Sequence, residues 1–101
     1  MSVVRSDVGG SASCVVCGDR RLTETWLQHQ KGFVFHCATC GRYALDTALA
    51  ALLRTARDSG ASATLALMPG LQRAITQRQA AGDPAPYFHL DDWEAEAREH
   101  L

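Results

Sequence analysis

No stretch of this chain approaches 18 consecutive uncharged apolar residues, so a membrane-spanning helix is not expected. The opening residues, MSVVRSDVGGSAS, hold no continuous apolar run and do not read as a secretory signal. There is no phosphate-binding glycine loop. Ser59 and Ser62 lie in a Gly/Ala-rich link without the pattern of a nucleophile elbow. Low-complexity tracts are absent as well. Cysteine is scarce, with four in 101 residues. What remains is 47% hydrophobic and 21% charged, the balance of a globular chain, and the length suggests one domain. A reducing, cytoplasmic setting is the expectation, and there paired cysteines more often hold metal than form disulfides.

The formal net charge of -1 hides an asymmetry. Residues 1–82 hold nine Lys/Arg against five Asp/Glu. Residues 83–101 hold Arg98 against Asp83, Asp91, Asp92, Glu94, Glu96 and Glu99. A mildly basic body thus precedes an acidic tail, whose plain reading is a solvated helix face.

All four cysteines sit in two near-copies of one word, CVVCG at 14–18 and CATCG at 37–41. The pattern is Cys14-x2-Cys17, then Cys37-x2-Cys40. Two intervening residues let a tight turn aim both sulfurs of a pair at one point. Gly18 and Gly41 follow each pair, where a positive φ turns backbone amides toward the sulfurs. Thiolates suit zinc, which takes four tetrahedral ligands, so the two words read as halves of one zinc cage. One structural zinc per chain is expected, because four cysteines leave no coordination position for water or substrate. Its binding free energy, on the order of 10 kcal/mol, would offset chain entropy that a short hairpin could not offset alone. Local Cys-x2-Cys disulfides, free thiols and a rubredoxin-like iron site remain alternatives. A thioredoxin-like role needs a βαβ setting that is not visible. His29 and His36 are passed over as ligands because the cysteines already complete the shell.

The expected fold class is α+β: a small ribbon over 13–45, after a flexible stretch at 1–12, with a helical part over 46–101 packed on it. Leu22–Leu27 and Phe33–His36 read as strands around a turn at 29–32, with Gly32 supplying a positive φ. Asp46 is a good N-cap for a helix carrying Leu49, Leu52, Leu53 and Ala56 on one stripe, ended by Gly60. Residues 61–67 are ambiguous. Pro69 opens a second helix with Leu71, Ala74 and Ile75 on its stripe, Arg78 at the edge of that face and Arg73 opposite. DPAPYFHL reads as extended. Asp91 and Glu94 have capping-box spacing for a third helix carrying Trp93, Ala97 and Leu101.

CVVCG followed by FHCATCGRYAL resembles the zinc-ribbon family, in which two Cys-x2-Cys-Gly knuckles are joined by a hairpin. CATCGRY before an Ala/Leu helix is also similar to the N-terminal ribbon-plus-helices module of uncharacterised bacterial and mobile-element proteins. The resemblance implies a ribbon fold with Cys14, Cys17, Cys37 and Cys40 as ligands. It also implies, with the small size, inhibition of a bacterial defence complex.

No catalytic set stands out, and a non-enzymatic protein is expected. Helix capping accounts for the acids at Asp91, Asp92 and Glu94, and His89 and His100 have no nucleophile to serve. Protein interaction is the favoured role. Arg20, Arg21, Lys31, Arg42, Tyr43, Arg54, Arg57, Arg73 and Trp93 are the candidate partner-binding residues. The alternative is nucleic-acid binding by the same cations with Trp26, Phe33, Phe35 and Tyr43 as stacking surfaces, against which the pI of 6.4 counts. A homodimer is a third possibility, if Trp93, Leu101 and the first helix stripe exceed what one core absorbs.

Overall fold

The computed structural model describes residues 13–27 and 31–101. The expectation for 1–12 and the middle of the first turn, including His29, lie outside these residues. The fold is α+β. Strands β1 (Leu22–Leu27), β2 (Gly32–Cys37), β3 (Gly41–Asp46) and β4 (Tyr87–Phe88) form one sheet in that order. The first three are antiparallel, and β4 joins β3 in parallel after the helices. Helices α1 (Thr47–Ser59), α3 (Met68–Ala80) and α4 (Trp93–Glu99) are separated by a single turn, α2 (Ser62–Leu65), and by β4. None of these helices is long and apolar enough to cross a membrane.

Strand alternation divides the sheet. Register places Trp26, Phe33, Phe35, Tyr43, Leu45 and Cys37 on one face. Trp26 meets Phe33 edge-on at 5.1 Å, and Phe35 stacks on Tyr43 at 5.1 Å. Phe35, Tyr43 and Leu45 are fully buried, in one core with Leu49 and Leu53 of α1, Leu71 and Ile75 of α3, and Phe88. Thr23, Thr25, His36 and Arg42 alternate onto the other face and are exposed, the usual arrangement for an antiparallel sheet solvated on one side.

The first helix forms as its caps require. The Asp46 carboxylate accepts from Leu49 N at 2.6 Å, and Gly60 ends the helix at φ 73 with its N–H on Ala56 O. The buried stripe is Leu49, Ala50, Leu53 and Ala56, whereas Leu52 lies at its margin and is exposed. Residues 61–67 resolve into the single turn α2 and its exit. Pro69 sits in the first turn of α3, where its missing N–H costs no helical bond.

Four expectations are corrected. The expected two-stranded hairpin gains a third strand, β3, because Tyr43–Leu45 lie extended to stack on Phe35 and reach β4. Lys31, not Gly32, carries the positive φ, at 52°. Gly32 is instead needed for space, since a Cβ there would lie 2.4 Å from Leu45 O and 2.6 Å from the Tyr87 hydroxyl. The capping box at Asp91 does not form: α4 begins at Trp93 after Asp92, which makes no side-chain cap bond. Finally, Leu101 does not complete the α4 stripe, being 58% exposed while Trp93 and Ala97 are buried.

Arg78 joins three elements. Its Nε donates to Glu96 Oε2 at 2.8 Å and Nη2 to Glu96 Oε1, Nη1 donates to Tyr87 O at 3.2 Å, and the guanidinium lies 4.5 Å from the Phe88 ring centroid. The bidentate pair raises the guanidinium pKa, with the Glu96 hydrogen bond as the main cause. Arg78→Met should therefore lower the unfolding free energy by about 1–2 kcal/mol, solvent screening of the partly exposed pair keeping the loss modest. Arg78→Lys should recover only part of it, because an ammonium cannot reproduce the planar fork. Urea denaturation of the three proteins measures both.

Candidate metal centre

Each knuckle is a tight turn closed by a left-handed glycine. Gly18 and Gly41 both have φ 83°, as the repeated word predicts. Thr39 N and Cys40 N point at Cys37 Sγ, at 3.4 and 3.3 Å. In the first turn the backbone of Val16 and Cys17 helps to lower the Cys14 thiol pKa. The two turns differ in burial. Val15 and Val16 are anchored in the core, whereas Ala38 and Thr39 are exposed.

The four sulfurs of Cys14, Cys17, Cys37 and Cys40 all lie within 4.8 Å of one another. Cys14 Sγ is 3.9 Å from Cys40 Sγ, and Cys17 Sγ is 3.5 Å from Cys37 Sγ. A tetrahedral ion with metal–sulfur bonds of about 2.3 Å places its sulfurs about 3.8 Å apart, so the donor set fits one such ion. Among the described residues these four form the one cluster that could hold a metal. His36 does not join it: its side chain is on the opposite face from Cys37, and its Nε2 accepts from Arg42 Nε at 3.2 Å.

The electrostatics of the thiols favour a cation at their centre. Cys14 is drawn down to about 4, chiefly by its bond with Cys40, and further by Tyr43 and the knuckle amides, against the effect of burial. Cys17 is pushed up to about 11, mainly by burial, and Cys40 is pushed strongly up by its bond to Cys14. One thiolate thus opposes ionisation of its neighbours, and a divalent cation would remove that opposition. Burial and the adjacent thiols hold the Tyr43 hydroxyl well above the usual phenol range, so it stays protonated and donates to Cys14 Sγ at 2.9 Å. Gln72 Nε2 donates to Cys40 Sγ at 3.6 Å. Such donors spread the charge of a thiolate shell.

The helices grip the backbone of both knuckles. Arg57 of α1 donates through Nε to Val15 O at 3.1 Å and through Nη2 to Val16 O at 2.7 Å. Gln79 of α3 donates to Cys40 O at 3.1 Å and Arg42 O at 2.8 Å. Asp19 ties one knuckle to the other, accepting from Thr39 Oγ1 at 2.7 Å and from Arg21. These bonds, first that from Arg21, hold its carboxyl below the usual carboxylate range.

The candidate partner-binding residues have more varied placements. Tyr43 and Trp93 are corrected: at 0% and 3% exposure they are core residues and present no surface to a partner. Arg57 braces the first knuckle, and Arg54 Nη2 pairs with Glu24 at 3.1 Å. Arg73 Nη1 donates to His100 O and Leu101 O, both at 3.0 Å. Arg21 chelates Asp19. Lys31 is exposed, and its carbonyl accepts from Thr47 N and Oγ1. Arg20 and Arg42 are exposed. Of the proposed stacking aromatics, Phe35 is buried, Phe33 is half-buried and Trp26 is 50% exposed. Sequence reasoning missed the contribution of Gln72, Gln79 and Asp19, and misassigned that of Tyr43. Strand alternation was the available signal for Tyr43, since it shares a face with Cys37.

No family model matches the chain, and no curated protein or solved structure matches it either.

Proposed function

We propose that this chain is a non-enzymatic zinc module of the ribbon type, that its metal is structural, and that it acts by binding another protein in a reducing, cytoplasmic setting. The closed four-thiolate donor set supports zinc, with rubredoxin-like iron as the competing metal.

One observation carries the choice of protein over nucleic acid: most of the described arginines of the basic body are engaged within the fold. Arg21, Arg54 and Arg78 pair with carboxylates, and Arg57 and Arg73 bind main-chain carbonyls. A cation already paired with a carboxylate gains less on meeting a phosphate, so the track expected of a nucleic-acid binder is reduced at Arg21, Arg54 and Arg78. The acids of the tail behave otherwise. Asp91, Asp92 and Glu99 are exposed, and Glu94 pairs only with the exposed Arg98 among the described residues. A basic protein surface complements this segment. In the inhibitory form of the reading, that surface is the nucleic-acid site of a bacterial defence complex.

The test is a paired measurement. The metal-loaded protein should leave the anisotropy of labelled single-stranded and duplex DNA unchanged at moderate salt. Capture of its partner should survive nuclease and fall at least tenfold in the Asp91→Lys/Glu99→Lys variant. Salt-sensitive DNA retention lost in Arg20→Ala/Arg42→Ala would establish the nucleic-acid reading instead.

A further inference from the structure

The sheet has two edges, and they are built differently. The β4 edge is two residues long and is preceded by Pro84 and Pro86. Short edges and proline are common means of preventing strand addition. The β1 edge is six residues long and has none of these guards: no proline, no lysine, and one charge, Glu24, whose carboxylate is held by Arg54 at 3.1 Å.

The ladder fixes which groups that edge offers. Ala38 N donates to Arg21 O at 3.1 Å, continuing the β1–β2 register by one residue. Main-chain groups of Arg21, Thr23, Thr25 and Leu27 therefore face β2, and those of Glu24 and Trp26 face outward. Among the described residues nothing pairs with them. Trp26, 50% exposed, stands beside them.

We infer that β1 pairs antiparallel with β1 of a second copy of this chain, with Thr25 on the two-fold axis. A two-fold normal to the sheet keeps like faces together, so opposed residues must share a face. With Glu24 on the axis, two carboxylates would meet, which disfavours that register. With Thr25 on the axis, Glu24 opposes Trp26 of the second copy and Thr23 opposes Leu27. Outward-facing residues then meet outward-facing residues, giving about four main-chain hydrogen bonds. Each Trp26 ring comes to lie beside the Glu24–Arg54 pair of the other copy, where the guanidinium complements the ring face. The threonines meet across the axis at a non-hydrogen-bonded position, a favourable cross-strand pair. One strand and one tryptophan cover less than the ~800 Å² per partner of a standard complex, so the association is weak and concentration-dependent. None of the acidic segment takes part, so this inference stands or falls apart from the proposed partner surface.

Sedimentation equilibrium of the metal-loaded full chain is the test. The apparent mass should rise from one chain toward two between about 10 µM and 1 mM. Thr25→Lys, which places two ammonium groups on the axis at an exposed position, should hold it at one chain while retaining metal and circular dichroism. In a glutathione redox buffer, Thr25→Cys should form a covalent dimer, because its two copies meet on the axis. Thr23→Cys, equally exposed but opposite Leu27, should not. A monomer at every concentration, association unchanged in Thr25→Lys, or equal cross-linking at both cysteines would overturn the inference. If Thr25→Lys fails to fold, the two cysteine variants decide alone.

Discussion

Cys37→Ser and Cys14→Ser are expected to lose the cooperative unfolding transition altogether, and chelation of the wild-type protein should do the same. The sulfurs are part of the core: Cys14, Cys37 and Cys40 are buried in one cluster with Phe35, Tyr43 and Leu53. Each of two ligands comes from a turn that strand pairing alone does not hold, because Cys14 and Cys17 precede β1. Structural zinc sites contribute on the order of 10 kcal/mol, while a chain of this length has a net stability of about 5–15 kcal/mol. Removing the ion therefore takes away most of the margin. It also leaves thiols whose mutual repulsion limits their ionisation, and deprives Tyr43 and Gln72 of a fully charged acceptor. Acidification should release the metal by the same route, since protons compete for every thiolate. Thermal denaturation followed by circular dichroism, with and without chelator under reducing conditions, measures the effect. A two-state transition within a few degrees of the untreated protein after complete metal removal would contradict it.

Gly70→Ala should be strongly damaging although it lies away from the cysteine cluster, lowering the unfolding free energy by about 2–4 kcal/mol. At this position a Cβ would lie 2.0 Å from Ala97 O and 2.9 Å from Ala97 C. Both neighbours are main-chain atoms of α4, so no side chain can rotate away. The helices must separate, and with them Trp93 and Ala97 leave the core formed with Leu71 and Ile75. Alanine would otherwise favour the helix by about 1 kcal/mol, so a loss despite that gain isolates the steric term. Gly60→Ala serves as the contrast. Nothing lies within 4 Å of its Cβ position, but φ is 73°, so its loss should be limited to the backbone conformation. Chemical denaturation of the two variants side by side ranks them, and equal losses would argue against the close crossing.

What the sequence disclosed was local. The knuckle glycines, the Asp46 cap, the Gly60 terminus and the Pro69 start each depend on residues within a few positions, and spacing reveals them. What it concealed was long-range. Arg57 braces carbonyls more than 40 positions earlier in the chain, and Gln79 grips the second knuckle from α3. Neither residue type announces such a partner, and Arg57 read instead as a partner-binding cation. Trp93 and Tyr43 read as interface anchors because aromatic residues serve both cores and interfaces, and only packing separates the two. Gly32 shows the same limit from the other side: glycine was expected for a turn, but the close approach of Leu45 and Tyr87 requires it.

The most direct test of the account is the metal content of the reduced, purified protein, measured by inductively coupled plasma mass spectrometry alongside its intact mass under native conditions. The account predicts one zinc ion per chain, with all four cysteines becoming alkylatable only after chelation. A colourless, folded protein without stoichiometric metal, or one whose mass shows Cys14, Cys17, Cys37 and Cys40 joined in disulfides, would contradict it.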